Sequence, residues 1–384
     1  MGHRAHSDGD WDHRVPVQTR SERFKSTDVS QFPEVTGREV NWKFTPISAL
    51  RELLSGELAG GTPALEISDA DGVEVSTIPM TSELVGRAGI PEDRAAANAW
   101  GQAETAQRIL LTSEERRAVT VRRSGLTGAP TAAHTIIETA PRAEALVILE
   151  NTGDANLSET VEIVVGEGAN LTVVSIQEWN DEAIHLASHQ ATVGRDATLQ
   201  HIVVSLGGKV VRVNPTIHLD GQGANGEGYG AYFADAGQHL EHQVYIDHNA
   251  PRTRSRVAYK GALQGEGAHA VWIGDVLIRR VATGTDSYEE NRNLTLTEGT
   301  RTDSIPNLEI ETGDIEGAGH ASTTGRFDEE HIFYLRSRGI SEDEARKLVV
   351  RGFLIDVIQR IGDARVEERL QQVIEAELEQ SVLV

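Results

Sequence analysis

Four stretches of this chain repeat one device, and that device limits the fold more than any other feature of the sequence. A strand-like run ends in Gly-x-x-Ala, and a second such run follows. The unit appears as VEIVVGEGANLTVVSI (161–176), HQATVGRDATLQHIVVSL (189–206), TIHLDGQGANGEGYGAY (216–232) and YKGALQGEGAHAVWIGDV (259–276). The leading glycines are Gly166, Gly194, Gly221 and Gly265, the first three 27 or 28 residues apart and the last after a longer gap. A period in this range marks architectures whose units cannot bury their apolar faces alone and must stack. Glycine permits a left-handed turn backbone, and the small alanine lets consecutive turns approach closely. The pattern predicts a β-solenoid over residues 131–325. A β-sandwich built from hairpins is the competing reading.

The flanks read differently. Residues 1–30 are polar and aperiodic and are expected to form a flexible or loosely docked arm. Residues 31–130 mix signals. TPISALRELLSG (45–56) has helical apolar spacing, LEISDADGVEVS (65–76) reads as a hairpin with an Asp-Gly turn, and the Ala-rich PEDRAAANAWGQAETAQRILL (91–111) reads as a helix. After residue 325 the period becomes helical. FDEEHIFYLRSRG runs from a cap at Asp328 to Gly339, and Ser341-x-x-Glu344 is a capping box. The helix behind it should bury Ala345, Leu348, Val349, Phe353, Val357 and Ile361. The acidic VEERLQQVIEAELEQ is a third helix, so residues 326–384 form a helical C-terminal domain.

Composition removes several function classes. The net charge of −23 opposes binding to a phosphate backbone, and no basic cluster offsets it, so no nucleic-acid partner is expected. There is no cysteine among the 384 residues, which excludes a disulfide, a cysteine nucleophile and a self-contained thiolate metal site. No run of apolar residues is long enough to span a membrane, and the polar start MGHRAHSDGDWDHR is unlike a signal peptide, so the expected location is cytoplasmic.

Three segments carry titratable or cradle-forming residues. QHLEHQVYIDH places His239, His242 and His248 close together, but alternation along a strand puts His239 and His242 on opposite faces, so solvent-facing or turn histidines are expected rather than a chelate. DSIPNLEIETGDIEGAGHAS holds Asp303, Glu309, Glu311, Asp314, Glu316 and His320, and alternation again divides the carboxylates between faces. GQGANGEGYG (221–230) is glycine-rich but lacks the Lys-Ser/Thr of a phosphate loop. No G-x-S-x-G, H-E-x-x-H or Walker motif is present, so neither an enzyme active site nor a nucleotide site is expected.

Several segments, in order, resemble the SufD proteins of the SufB/SufD family, which act in SUF iron–sulfur cluster assembly. GREVNWKFTP (37–46) resembles their Arg-x-x-x-Trp-Lys-aromatic-Thr signature, and QHLEHQVYIDH their His-rich strand. TDSYEENRNLTLTEGTRTDSIPNLEIETGDIEGAGHAS (285–322) and FYLRSRGISEDEARKLVVRGF (333–353) resemble their two longest blocks. The resemblance implies a right-handed parallel β-helix core with an N-terminal α-containing region and a C-terminal helical domain. It implies a SufB-like scaffold partner, met through the β-helices, and a SufC-like ABC ATPase held by the C-terminal helices. It further implies a transient iron–sulfur cluster at the partner interface, with His320 matching the family histidine. The SufB cysteine position falls near Thr300, and Ala321 stands where SufB has a glutamate. For ATPase docking the resemblance points to Phe333, Tyr334, Arg336, Arg338, Glu342 and Phe353, with the three aromatics buried as an alternative. Flavin binding and a homodimer of the isolated chain stay open. So does a purely structural role, in which the subunit positions ATPases without touching the cluster. A β-helix polysaccharide lyase and a hexapeptide-repeat acyltransferase fit less well, for want of a secretory signal and of six-residue periodicity.

Overall fold

The protein is described from a computed structural model covering residues 23–60, 63–68, 71–326 and 329–380. It is mainly β and forms a parallel solenoid of two facing nine-stranded sheets. In spatial order, the first sheet holds β2 (Val73–Pro79), β3 (Thr105–Leu111), β5 (Pro130–Thr139), β7 (Asn156–Val165), β9 (Ile184–Val193), β11 (Val210–Leu219), β13 (His239–His248), β15 (His269–Ile278) and β17 (Arg301–Ile310). The second holds β1 (Ala64–Ile67), β4 (Arg117–Ser124), β6 (Glu144–Gly153), β8 (Asn170–Trp179), β10 (Thr198–Ser205), β12 (Asn225–Ala234), β14 (Arg254–Leu263), β16 (Thr285–Thr295) and β18 (Ile315–Gly325). From β3 onward the chain alternates between sheets and climbs one rung per pair of strands, so each strand lies parallel to the next but one. Alternate residues of both sheets, among them Val147, Leu157, Val173, Val203, Leu240 and Ile246, meet in a continuous interior core.

The repeated turns lie between the sheets, but the glycine does a different job from the one expected. Gly166, Gly194 and Gly221 are not left-handed. A Cβ on them would strike the backbone of the turn below, at 2.7 Å from the Thr139 carbonyl oxygen, 2.9 Å from that of Val165 and 2.1 Å from the Arg195 nitrogen. The left-handed position is two residues on, at Gly168, Asp196, Gly223 and Gly267, and Gly265 alone of the four leading glycines is also left-handed. The alanine N–H then closes each turn onto the leading glycine carbonyl, as from Ala169 to Gly166 at 3.1 Å, and its methyl is buried. Close stacking of turns, rather than backbone handedness, selects the first glycine.

Three N-terminal expectations are corrected. The segment 65–76 is no hairpin: β1 pairs antiparallel with β4 and β2 with β3, one in each sheet. The Ala-rich stretch is helical only over α2 (Arg94–Gln102), capped by Asp93, whose carboxylate accepts from the Ala96 N–H, and its second half is β3. The parallel ladder therefore begins before residue 131, with β3 pairing β5 and β4 pairing β6. The tail of the expected arm is docked. Arg23 pairs with Glu92 at 3.0 Å and Asp275 at 2.7 Å and lies over the Tyr245 ring. Residues 1–22 lie outside the described residues.

Each sheet has its outer face covered. On the first, Trp42, α1 (Arg51–Ser55) and α2 pack against Ala132, Leu186 and Val210. Here the GREVNWKFTP segment acts as a clamp. Arg212 stacks 3.8 Å from the Trp42 ring and pairs with Asp93 and Glu241, while the Thr45 hydroxyl donates to Glu241 at 2.8 Å. On the second sheet, α4 (Glu342–Ile358) and α5 (Ala364–Gln380) bury Val350, Leu354, Val357, Leu370 and Ile374 against Leu146, Ile148, Val174, Ile176 and Phe233. The Ser341 cap forms, its hydroxyl accepting from the Glu344 N–H at 3.2 Å. Ala345, Val357 and Ile361 are buried as expected, but Val350, Leu354 and Ile358 complete the buried face in place of the half-buried Leu348, Val349 and Phe353, because the sheet lies on that side.

The clamp makes the fold acid-sensitive. Burial works to raise the Glu241 carboxyl, but Arg212, then His239 and Thr45, outweigh it and hold it at about 2, against 4.5 when free. A depressed carboxyl stabilises the fold fully above its unfolded value. We expect on the order of 3 kcal/mol to be lost as pH falls from about 4.5 through about 2. Urea midpoints across that range should show it, and Glu241→Gln should flatten the slope.

Candidate functional site

The two ends of the solenoid are built differently. The N-terminal end finishes in β1 and β2, which run antiparallel to the strands beside them. At the other end β17 and β18 are the last strands of their sheets, each paired on one side only. Their outer edges carry unpaired backbone groups, and such edges are natural templates for another chain. Inward-facing side chains of this last rung have no further rung above them, and one stretch of them is polar: Ser322 meets Ser304 at 2.8 Å, and Thr324 meets Thr302 at 3.1 Å, while Leu308 and Ala318 continue the apolar core.

His320 belongs to this rung. It lies on β18 in register with Glu289 of β16, so both side chains take the inward face. The imidazole is 43% exposed, with Nδ1 3.9 Å from Glu289 Oε1. Glu289 itself is 1% exposed, and neither of its oxygens has a hydrogen-bond partner. Burial, with Asp275 adding, pushes its carboxyl up to about 8; the Asn307 N–H nearby opposes this only weakly, since it makes no hydrogen bond of normal geometry to either oxygen.

The other expected site residues scatter. Thr300 sits in the turn before β17, its hydroxyl donating to the Thr297 carbonyl. Asp303 faces outward, bonded to His269 and Arg301 at 2.8 Å each. Glu311 accepts from the Arg280 N–H. His239, His242 and His248 are all buried, which corrects the expectation of solvent-facing or turn histidines. Alternation does divide them as expected. His239 faces outward under the N-terminal clamp, bonded to Glu241 at 2.9 Å and His269 at 3.1 Å. His242 and His248 face inward. His242 bonds Ser205 and stacks on Tyr232, and His248 bonds Thr253 and Ser255. Burial lowers them to about 3 and about 4, so both are neutral core histidines. Among the described residues no three His, Asp or Glu side chains converge as a metal site.

A second surface lies on the C-terminal helices. On α3 (Glu329–Ser337), Phe333 is 73% and Tyr334 57% exposed. Arg338 donates to the Tyr334 hydroxyl at 3.0 Å, and Arg336 pairs with Glu342 at 3.0 Å. Phe353 is the exception. It is half-buried against the second sheet, with the Lys260 ammonium 5.3 Å from its ring. Asp328 lies outside the described residues.

The SUF system FeS cluster assembly SufBD core domain matches residues 122–353, from the end of β4 into α4. The chain belongs to the SufBD family. It is 46% identical over 376 residues to the iron-sulfur cluster assembly SufBD family protein Rv1462 of Mycobacterium tuberculosis, covering 94% of each chain. The family protein ML0594 of Mycobacterium leprae is 45% identical over 92% of this chain and 93% of its own. Rv1461 of M. tuberculosis is 31% identical over 60% of this chain but only 27% of its own length. The SufBD core thus takes in the open rung, His320 and Glu289, and reaches Phe353. Sequence reasoning missed Glu289. Its signal was the alternation Thr285, Ser287, Glu289, Asn291, Asn293, a polar stripe that reads as a solvated face until the solenoid turns it inward. No described helix is long and apolar enough to cross a membrane.

Proposed function

We propose that this chain is the thiol-free scaffold subunit of a SUF assembly complex. It pairs through its open rung with a SufB-like scaffold and carries a SufC-like ABC ATPase on its C-terminal helices. Its own chemistry is assembly rather than turnover. The observation that carries this reading is the open end itself: two unpaired edge strands around a half-exposed, inward-facing imidazole. A second solenoid docked there would extend both sheets and enclose His320. A neutral imidazole is a competent iron ligand, and this cysteine-free chain leaves softer thiolates to the partner. The nascent cluster is then cargo, held for a time between two chains in the cytoplasm.

The test is co-expression with a SufB-like and a SufC-like subunit, followed by counting iron and sulfide in the purified complex. His320→Ala should leave the complex assembled and lower the iron count at least severalfold. An unchanged count would remove the ligand role and leave a subunit that only positions ATPases.

A further inference from the structure

Glu289 stands apart from the other buried carboxylates of the solenoid, among them its neighbour Asp275, which pairs with Arg23 and accepts from Asn307. Glu159, Glu162, Glu241 and Asp247 each bond a histidine, an arginine or both. Glu289 is buried as deeply, yet both its oxygens lack a hydrogen-bond partner. Such a group is costly and calls for an explanation. The space around it is shaped for it. Gly274 lies across the interior on β15, and a Cβ there would fall 2.4 Å from Glu289 Oε2 and 2.3 Å from the Trp272 ring. A glycine at that position leaves the carboxylate its room. The nearest group of complementary chemistry is His320, on the strand paired directly with Glu289, with Nδ1 3.9 Å from Oε1.

We propose that Glu289 is a second protein ligand, beside His320, for a divalent cation, ferrous iron in the working complex, at the open rung. This rests on the reading of His320 as an iron ligand and deepens it. The spacing suits one ion. Ligand atoms each about 2.1 Å from a metal can lie up to about 4.2 Å apart, so the two side chains reach a common ion without movement of either strand. A nitrogen and a carboxylate oxygen suit borderline divalent cations, and the open rung leaves the remaining positions to solvent or to a partner's ligands. The ion would supply the partner that both carboxylate oxygens lack.

The experiment uses the full chain and cobalt(II) as the spectroscopic probe, with wild type, Glu289→Gln, Glu289→Asp and His320→Ala compared by titration. Because the chain has 14 histidines, the informative signal is the visible band lost in His320→Ala. Glu289→Gln is isosteric but cannot act as an anionic ligand. It should weaken the band's apparent affinity by about tenfold or more, and Glu289→Asp should restore part of it. If His320→Ala abolishes the band while Glu289→Gln titrates like wild type, this proposal fails and the His320 reading stands. If His320→Ala leaves the cobalt spectrum unchanged, the His320 reading fails and this proposal with it. No band in wild type also overturns it. Should Glu289→Gln fold poorly, the decision rests on Glu289→Asp: a spectrum identical to wild type in band position and affinity counts against direct ligation.

Discussion

Replacing Phe333 and Tyr334 together by alanine should cut capture of a SufC-like ATPase by about 30-fold or more, with the fold unchanged. Exposed aromatics flanked by arginines are the residues that dominate interface energetics, and losing such a pair costs at least about 2 kcal/mol. Neither ring supports the fold, since both stand in solvent on α3, so the effect should appear in binding alone. Arg336→Ala and Arg338→Ala should each cost less, because each is already engaged within its own surface, by Glu342 and Tyr334. Titration of the purified ATPase against the variant checks this, with circular dichroism as the control. Unaltered affinity would move the docking site elsewhere. Truncation at residue 327 is the wrong form of this experiment. It would strip α4 and α5 from the second sheet and expose Leu146, Ile148, Val174, Ile176 and Phe233 together, and aggregation should follow.

The second large effect lies inside the solenoid. Arg123 enters the interior at the N-terminal end and pairs with Glu159, which also bonds His185 Nε2 at 2.8 Å. Burial works to raise the Glu159 carboxyl, but Arg123, then His185, outweigh it and hold it well below the usual carboxylate range. The Arg123 Nε and Nη1 have no hydrogen-bond partner, and beyond Glu159 its Nη2 meets only the Thr135 hydroxyl, at 3.3 Å. Glu159→Ala would therefore strand a buried guanidinium, and we expect a loss of about 3–5 kcal/mol. Arg123→Met in the same chain should recover part of it, since removing both charges is cheaper than removing one. Urea midpoints at constant m-value measure both. A single-variant loss below about 1 kcal/mol would mean that water reaches the pair.

The solenoid was legible because its turns impose a local rule. Where these turns stack most closely a leading glycine and a small alanine are needed, and four copies of that rule survive, the first three 27 or 28 residues apart. The C-terminal helices were legible from the Ser341 cap and the apolar period. Their buried face was not, because a helix with apolar residues spread around it, Leu348 and Val349 as well as Val350 and Leu354, lets the opposing surface choose. The hairpin at 65–76 misled for a related reason: two strands joined by a turn can pair with each other or with the first rung of two different sheets, and the turn does not decide.

The sequence by itself determined that the chain would stack as a solenoid, that it would end in helices and that no thiolate could come from within. It also carried the blocks that single out His320, though not what surrounds that residue. Only the tertiary structure decided that the last rung is open, that β16 turns its polar stripe inward and that Glu289 waits unpaired 3.9 Å from the imidazole. The reason is physical. Periodicity records which residues share a face, whereas burial depends on what lies across the core, and Glu289 meets Gly274 from the facing sheet, half a turn before it, and His320 from a full turn after it.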